Sequence, residues 1–403
     1  MANIIGTKGN DSLNVGGSSD NNLLDGGDGN DALLTLDDLV DYYFYPSSGN
    51  NTLNGGAGDD YLNIDSSTGN NLLNGGTGDD SLDAKGSEGD NLLNGDAGDD
   101  TLNASYKVTA GGGEPWIVAS ESNNTLNGGA GDDRLYVNSS SGNNLLNGDD
   151  GNDSLFINDF FGTYYDVPGN NTLNGGAGND RLDIDFSTGN NVLSGGDGKD
   201  TLDIGYSTGN NVLSGGDDND SLSASGRYGY NGGNEEVYRG ASGNNTLDGG
   251  AGNDTLNIDN STGKNVLSGG DGNDSLSASG ALGNNTLNGG TGNDTLIGGS
   301  GTDTFVFNNF NEGIDSLYGF NATNELIQVS AAGFDCRLSI GSLKANQFTI
   351  GTSATTCTQR FIYDLPTGAL YFDRDGSGGR FTQIQFAQLF GGVSLTENNF
   401  VVV

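Results

Sequence analysis

Hydrophobic positions along this chain recur in a fixed relation to two polar residues. A leucine stands two residues after an asparagine, as at Leu53, Leu73 and Leu193, and another stands two residues after an aspartate, as at Leu62, Leu82 and Leu202. The asparagines are Asn22, Asn51, Asn71, Asn91, Asn124, Asn144, Asn171, Asn191, Asn211, Asn245, Asn265 and Asn285, and each lies nine residues before an aspartate. The full aspartate series is Asp11, Asp31, Asp60, Asp80, Asp100, Asp133, Asp153, Asp180, Asp200, Asp220, Asp254, Asp274, Asp294 and Asp303. Eight of its spacings are 20 residues, four are longer at 29, 33, 27 and 34, and the last is 9. Self-similarity at a fixed period takes precedence over local propensity, because it means that each unit packs only on its neighbours.

One period is therefore two half-turns, one ending on an aspartate and one on an asparagine. The pattern predicts an all-β fold, a parallel β-solenoid of about 13 coils of about 20 residues, with two inward leucine ladders facing each other across a thin core. Coils stacked at about 4.8 Å would give a rod on the order of 60 Å long. The solenoid is assigned to residues 1–303, with insertions near 34–48, 104–122, 157–168 and 225–242, and residues 304–403 form a C-terminal β capping unit.

Composition sharpens this picture. The chain has 403 residues, of which 73 are Gly and only 4 are Pro, so the glycines serve tight turns in a repeating fold and not a collagen helix. Fourteen basic residues face 54 acidic ones, a formal net charge of -40 that opposes compaction unless cations neutralise it. Without cations the chain is expected to be expanded. The charge also argues against nucleic acid and anionic membranes as partners. No run of residues is apolar enough to span a bilayer, so membrane insertion is not expected. No histidine is present, which removes zinc-protease motifs, Ser-His-Asp triads and Cys-His dyads together, and no enzymatic activity is expected. Cys336 and Cys357 lie close enough in sequence for one disulfide to be conceivable.

The acidic half-turn carries a defined motif. It is clearest in Gly55-Gly56-Ala57-Gly58-Asp59-Asp60-Tyr61-Leu62 and Gly269-Gly270-Asp271-Gly272-Asn273-Asp274-Ser275-Leu276. Gly148-Asp149, Gly95-Asp96 and Asp218 each break the glycine pattern at one position. These nonapeptides resemble the RTX (repeats-in-toxin) calcium-binding family. That resemblance implies a parallel β-roll in which a six-residue loop holds Ca²⁺ between adjacent coils and the last three residues form a short strand. Carried onto this chain, it points to the fourteen aspartates above as metal ligands, with Gly55, Gly75, Gly175, Gly195, Gly249, Gly269, Gly289 and Gly298 opening the loops. About 10–13 ions in one file are expected, since Ca²⁺ takes six to eight oxygens from carboxylates and carbonyls. Solenoid corners alone would also use Gly and Asp, but a dozen carboxylates stacked at about 5 Å need counter-charge. The asparagine edge offers neutral oxygens and amide donors, so hydrogen-bonded ladders, largely free of calcium, are expected there.

The four insertions enter the same half-turn and are aromatic, with Tyr43, Tyr45, Trp116, Phe161, Tyr164, Tyr228 and Tyr238 as interface candidates. They could form interfaces, cover the solenoid flank or stack on surface glycans. From Thr304 onward Phe, Ile and Val alternate with polar residues. The stretches from Asp303 to Phe307, from Gln359 to Tyr363 and from Gly368 to Gly378 resemble the C-terminal region of bacterial RTX proteins exported by type I secretion. That implies a leaderless, secreted protein, and Met1 to Gly9 indeed lacks the pattern of a Sec signal. Asp373 and Asp375 flank a Gly-rich turn that could take one more Ca²⁺ or be a plain turn. With repeats beginning at Gly6, the expected role is an extracellular or cell-surface structural protein that assembles with itself, head to tail, into filaments or a surface layer. A calcium-dependent adhesin or carbohydrate-binding protein using the aromatic insertions is the alternative.

Overall fold

A computed structural model describes residues 2–35, 47–109, 116–118, 121–158, 167–230, 236–239, 241–334 and 338–403. The chain divides into two bodies, residues 1–212 and 213–403. In the first, each coil consists of a six-residue strand such as Thr52–Ala57, a turn closing on the aspartate, and a three-residue strand such as Tyr61–Asn63. Equivalent strands stack in parallel register, Leu53 beside Leu73 and Leu62 beside Leu82, so the two strand types build two parallel sheets. The second body repeats this plan, with Leu247 beside Leu267 and Leu256 beside Leu276.

From Leu24 and Leu33 onward the leucines of both ladders are fully buried. A third inward file, Ile64, Ala84, Val137, Ile157, Ile184 and Ile204, follows the short strands and closes the core. It was not read from the sequence, because small and branched residues alternate in it. Each coil contributes only these few apolar residues and relies on the coils above and below for its core. Truncating one ladder residue is therefore expected to cost as much as a deletion in a globular core. Leu182→Ala should lower stability by about 2–5 kcal/mol, read as a fall in the urea midpoint of the calcium-saturated protein.

Two of the insertions contain β-hairpins: Lys107–Thr109 pairs antiparallel with Trp116–Val118, and Arg227–Tyr230 with Glu236–Arg239. Tyr43, Tyr45, Phe161 and Tyr164 lie outside the described residues, and Trp116, Tyr228 and Tyr238 are described only as members of hairpin strands. Cys336 also lies outside them, and Cys357 is a free, exposed thiol.

In the second body the parallel stacking continues through Thr304–Phe307 and Leu326–Val329 on one sheet and Asp315–Tyr318 on the other. There the leucine ladder gives way to Phe305 and Ile327. Phe400–Val402 covers the first sheet, running parallel to Leu326–Val329, and an antiparallel meander of Phe361–Asp364, Ala369–Phe372 and Ile384–Leu389 extends the second. A cluster of buried phenylalanines forms the core of this unit, with ring centroids 5.1 Å apart for Phe334–Phe372 and 5.2 Å for Phe361–Phe400. This is the small β cap expected from the alternating pattern after Thr304.

Candidate metal centre: the aspartate file

The acidic turns are made mostly of glycine, and a side chain at the first of these positions would collide with the aspartate or the next coil. At Gly55 an added Cβ would lie 2.3 Å from Asp60 Oδ2 and 2.5 Å from the carbonyl of Gly75 in the next coil. At Gly56 the backbone has φ +115°, and a Cβ would meet the carbonyl of Gly27 at 2.1 Å. The three positions where the motif is broken keep this left-handed geometry with an aspartate: Asp96 has φ 77°, Asp149 φ 76° and Asp218 φ 78°. Asp is among the residues that tolerate that conformation, which explains why the pattern bends there without losing the turn.

These turns set the aspartates in a file. Asp31 Oδ1 accepts the backbone N–H of Asp11 at 2.7 Å, Asp60 Oδ1 that of Asp31 at 2.6 Å, and Asp80 Oδ1 that of Asp60 at 2.7 Å. The relation repeats coil by coil to Asp200 in the first body, and from Asp220 through Asp254, Asp274 and Asp294 in the second. One oxygen of each carboxylate is thereby committed to the backbone. The other is not: Oδ2 of Asp31, Asp60, Asp80, Asp100, Asp133, Asp153 and Asp180 is buried without a hydrogen-bond partner, and so is Oδ2 of Asp254, Asp274 and Asp294. The carboxylates themselves are at most 3% exposed.

A buried, unpaired carboxylate oxygen is among the costliest groups a fold can hold, and a file of them demands a compensating charge. Burial out of water, opposed by the N–H bond from the preceding aspartate and reinforced by neighbouring carboxylates, pushes Asp80, Asp133, Asp153 and Asp274 up to about 7. The same causes raise Asp60, Asp100 and Asp180 to about 6. Lys8, Lys85 and Arg181 pair outside the file, with Asp28, Asp83 and Asp183. Carbonyl oxygens converge on the same turns, with those of Gly56 and Gly58 directed at Gly76 and Gly78 of the next coil. Among the described residues no three acidic side chains converge on one point. A cation would thus be held by carboxylates of adjacent coils, with main-chain carbonyls completing its shell, an all-oxygen environment suited to a large, hard divalent ion.

The opposite edge is a different structure. Asn51 Nδ2 donates to Asn71 Oδ1 at 3.1 Å and to the carbonyl of Gly49 at 2.8 Å, while Asn71 Oδ1 also accepts the N–H of Asn51 at 3.0 Å. The amides are buried and mutually satisfied along the stack, the hydrogen-bonded ladder expected there. Buried serines support it, as where Ser67 Oγ donates to the Ser47 carbonyl and accepts from Asn71 Nδ2 at 3.1 Å.

Two residues assigned to the aspartate file stand elsewhere. Asp303 lies in register with the asparagines, where its Oδ1 accepts Asn285 N at 2.8 Å and Asn285 Nδ2 at 3.1 Å, and its Oδ2 accepts the N–H of Gly299. Gly298, the first glycine of that loop, lies on the same edge, where an added Cβ would stand 3.5 Å from Asp303 Oδ2 and 3.6 Å from Glu325 Oε1. The reason is the period: a loop nine residues after Asp294 is half a turn on and faces the other way. The true successor of Asp294 is Asp315, whose Oδ1 accepts the Asp294 N–H at 3.1 Å. Burial and the Asp294 charge raise Asp315 to about 8. Glu325, raised to about 7 by burial, follows Asp303 on the asparagine edge with Oε1 buried and unpaired. At the Gly-rich turn after Phe372, Asp373 Oδ1 accepts the N–H of Asp375, and both carboxylate oxygens of Asp375 accept backbone N–H groups, of Arg380 and Phe381. That is the bonding of a plain turn.

The family model described as RTX calcium-binding nonapeptide repeat (4 copies) matches residues 47–66, 63–86, 84–105, 109–139, 137–156, 165–183, 187–205, 207–226, 230–258, 259–281 and 279–311, more than half of the chain. No curated protein matches it.

Proposed function

Because the chain belongs to the RTX calcium-binding nonapeptide repeat family and so binds several calcium ions, we propose that the ions occupy the aspartate file and turn an expanded polyanion into a stiff extracellular scaffold. The observation that carries this reading is the repeated buried, unpartnered Oδ2 at the same place in coil after coil. Asp11, Asp31, Asp60, Asp80, Asp100, Asp133, Asp153, Asp180, Asp200, Asp220, Asp254, Asp274 and Asp294 are the proposed ligands, joined by Asp315. The loop carbonyls that the glycines bring close complete each shell. When bound, calcium supplies positive charge and a multidentate bridge between coils; it does no covalent chemistry, and the repeats of this family are structural and not typically enzymatic.

Repeats of this family are typical of secreted bacterial proteins, and no helix among the described residues is long and apolar enough to cross a membrane. Export through a type I route, with the cap as its signal region, is part of the proposal. So is self-assembly. Among the described residues the strand Asn3–Ile5 is paired on one side, with Leu23–Asp25, and Ser12–Asn14 on one side, with Ala32–Leu34, so this coil presents two open parallel edges, with Ile5 69% exposed. The cap in turn has an unpaired edge at Phe348–Ile350, bonded on one side to Phe361–Tyr363, with a pocket of about 150 Å³ beside it lined by Lys344, Arg360, Asn346, Gln347 and Thr358. The open first coil of a second copy would dock on that edge in a heterologous contact that does not close on itself.

Electron microscopy and sedimentation of calcium-loaded protein test the assembly. Filaments whose length grows with concentration are expected, and Ile5→Pro, which removes a donor from the open edge, should abolish them while circular dichroism stays unchanged. Monodisperse particles at every concentration would overturn it.

A further inference from the structure

Outside the calcium edge, the first body carries a stripe rich in amides that nothing above uses. Next to the buried asparagine ladder runs a second, exposed file, in which Asn50 Oδ1 accepts the N–H of Asn70 at 2.8 Å. The relation recurs at Asn143, Asn170 and Asn190, whose Oδ1 atoms accept the N–H groups of Asn170, Asn190 and Asn210 at 2.7 Å. Each of these amides thus spends its oxygen on the backbone. Among the described residues, the Nδ2 groups of Asn50, Asn70, Asn143, Asn170 and Asn190 have no protein partner and face outward as donors.

Two residues further along each coil stands an outward file of Thr52, Leu72, Leu92, Thr125 and Leu145, in strict register from coil to coil. Leu92 is 37% exposed and Val192, at the same position further on, 45%. Two residues beyond that lies a third file, Asn54, Asn74, Asn94, Asn127, Asn147 and Asn174, whose amides bond one another at 2.7–2.8 Å. The first two files form the walls of a groove of about 370 Å³ that crosses four coils.

The cross-section is an apolar centre flanked on each side, at about 6–7 Å, by amides. The groove holds one carboxylate, Asp90, whose Oδ1 is taken by the N–H of Asn123 at 2.8 Å. Along its length it repeats every ~4.8 Å, close to the length of one sugar in an extended 1,4-linked chain. A ribbon-like polysaccharide with equatorial hydroxyls has the matching shape, with apolar C–H faces above and below and hydroxyl or acetamide groups along both edges. Its oxygens would accept from the free Nδ2 groups and its C–H face would cover Leu72 and Leu92. A net charge of -40 selects against anionic polymers. We propose that this stripe binds a neutral β-1,4-linked polysaccharide lengthwise, one sugar per coil. It would fasten the scaffold to a glycan surface without using the aromatic insertions.

The test uses the calcium-loaded full chain with microcrystalline cellulose and chitin in co-sedimentation, and with cello- and chito-oligosaccharides of two to six sugars in calorimetry. Binding to at least one polymer is expected, with affinity rising at each added sugar. Leu72→Asp with Leu92→Asp should reduce it at least tenfold, and Trp116→Ala should leave it unchanged. Should the leucine variant fold poorly by circular dichroism in calcium, Asn50→Asp with Asn70→Asp keeps the backbone acceptor, removes two donors, and is expected to give a similar loss. Failure of both polymers to bind, binding to alginate alone, or loss in Trp116→Ala with retention in the stripe variants would overturn the proposal. Calcium-driven folding is read by circular dichroism in the same samples, so the two readings fail separately.

Discussion

Chelator-treated protein at neutral pH is expected to show the circular dichroism of an unordered chain, and added Ca²⁺ to restore the β signal in one cooperative step. The expectation follows from the charge on one edge. In the first body Asp31, Asp60, Asp80, Asp100, Asp133, Asp153 and Asp180 occupy successive coils with one oxygen unpaired. Two full charges at ~5 Å repel by on the order of 3 kcal/mol at the effective dielectric of a protein surface, before screening. Repeated along the file, that sum exceeds the roughly 5–15 kcal/mol by which domains are stable. Each calcium placed between coils reverses the sign and ties neighbours together, and because a coil has no core without its neighbours, filling should propagate. Mg²⁺, which demands a small octahedral shell and keeps its waters, should not substitute. A β signal undiminished in chelator would mean that the asparagine and leucine ladders hold the solenoid by themselves.

The coil was legible because its two halves repeat side chains with single, strong roles. Leu53 and Leu62 could only face inward, and Asn51 and Asp60 marked the two edges nine residues apart. What escaped was whatever depends on register or on tolerance. Asp303 carries a complete G-G-x-G-x-D loop, yet a local motif does not say which edge it faces, and nine residues is half a turn. Asp315 was hidden for the converse reason: Phe310 and Asn311 replace the motif's first two glycines and the spacing is 21, but Gly313 and the carboxylate still take the same places in the stack. The Ile64 file and the supporting serines such as Ser67 mix residue types of similar size, so periodicity alone does not reveal them. The outward Asn54 ladder has the pattern of an ordinary polar strand face until neighbouring coils are set in register.

Without metal, acid is expected to do part of what calcium does. The folded-state pKa values of Asp60, Asp80, Asp100, Asp133, Asp153, Asp180 and Asp274 are raised from 3.8 to about 6 or 7, first by burial. A group whose pKa is higher folded than unfolded binds its proton more tightly in the fold. Its contribution is present in full below the unfolded value, near 4, and is lost as the pH rises through the folded value. Chelated protein should therefore gain β signal when acidified to ~pH 4 and lose it between about 4 and 7, the reverse of ordinary acid denaturation. Calcium inverts the sign, because its ligands must be ionised, so its affinity should fall with acid and its binding near pH 6 should release protons. A pH-stat titration at pH 6 and again at pH 8 measures this directly, with release expected at the lower pH and little at the higher. If chelated protein stays unordered at every pH while calcium still folds it, removing charge is not enough, and the ion's bridging of carbonyls between coils is the indispensable part.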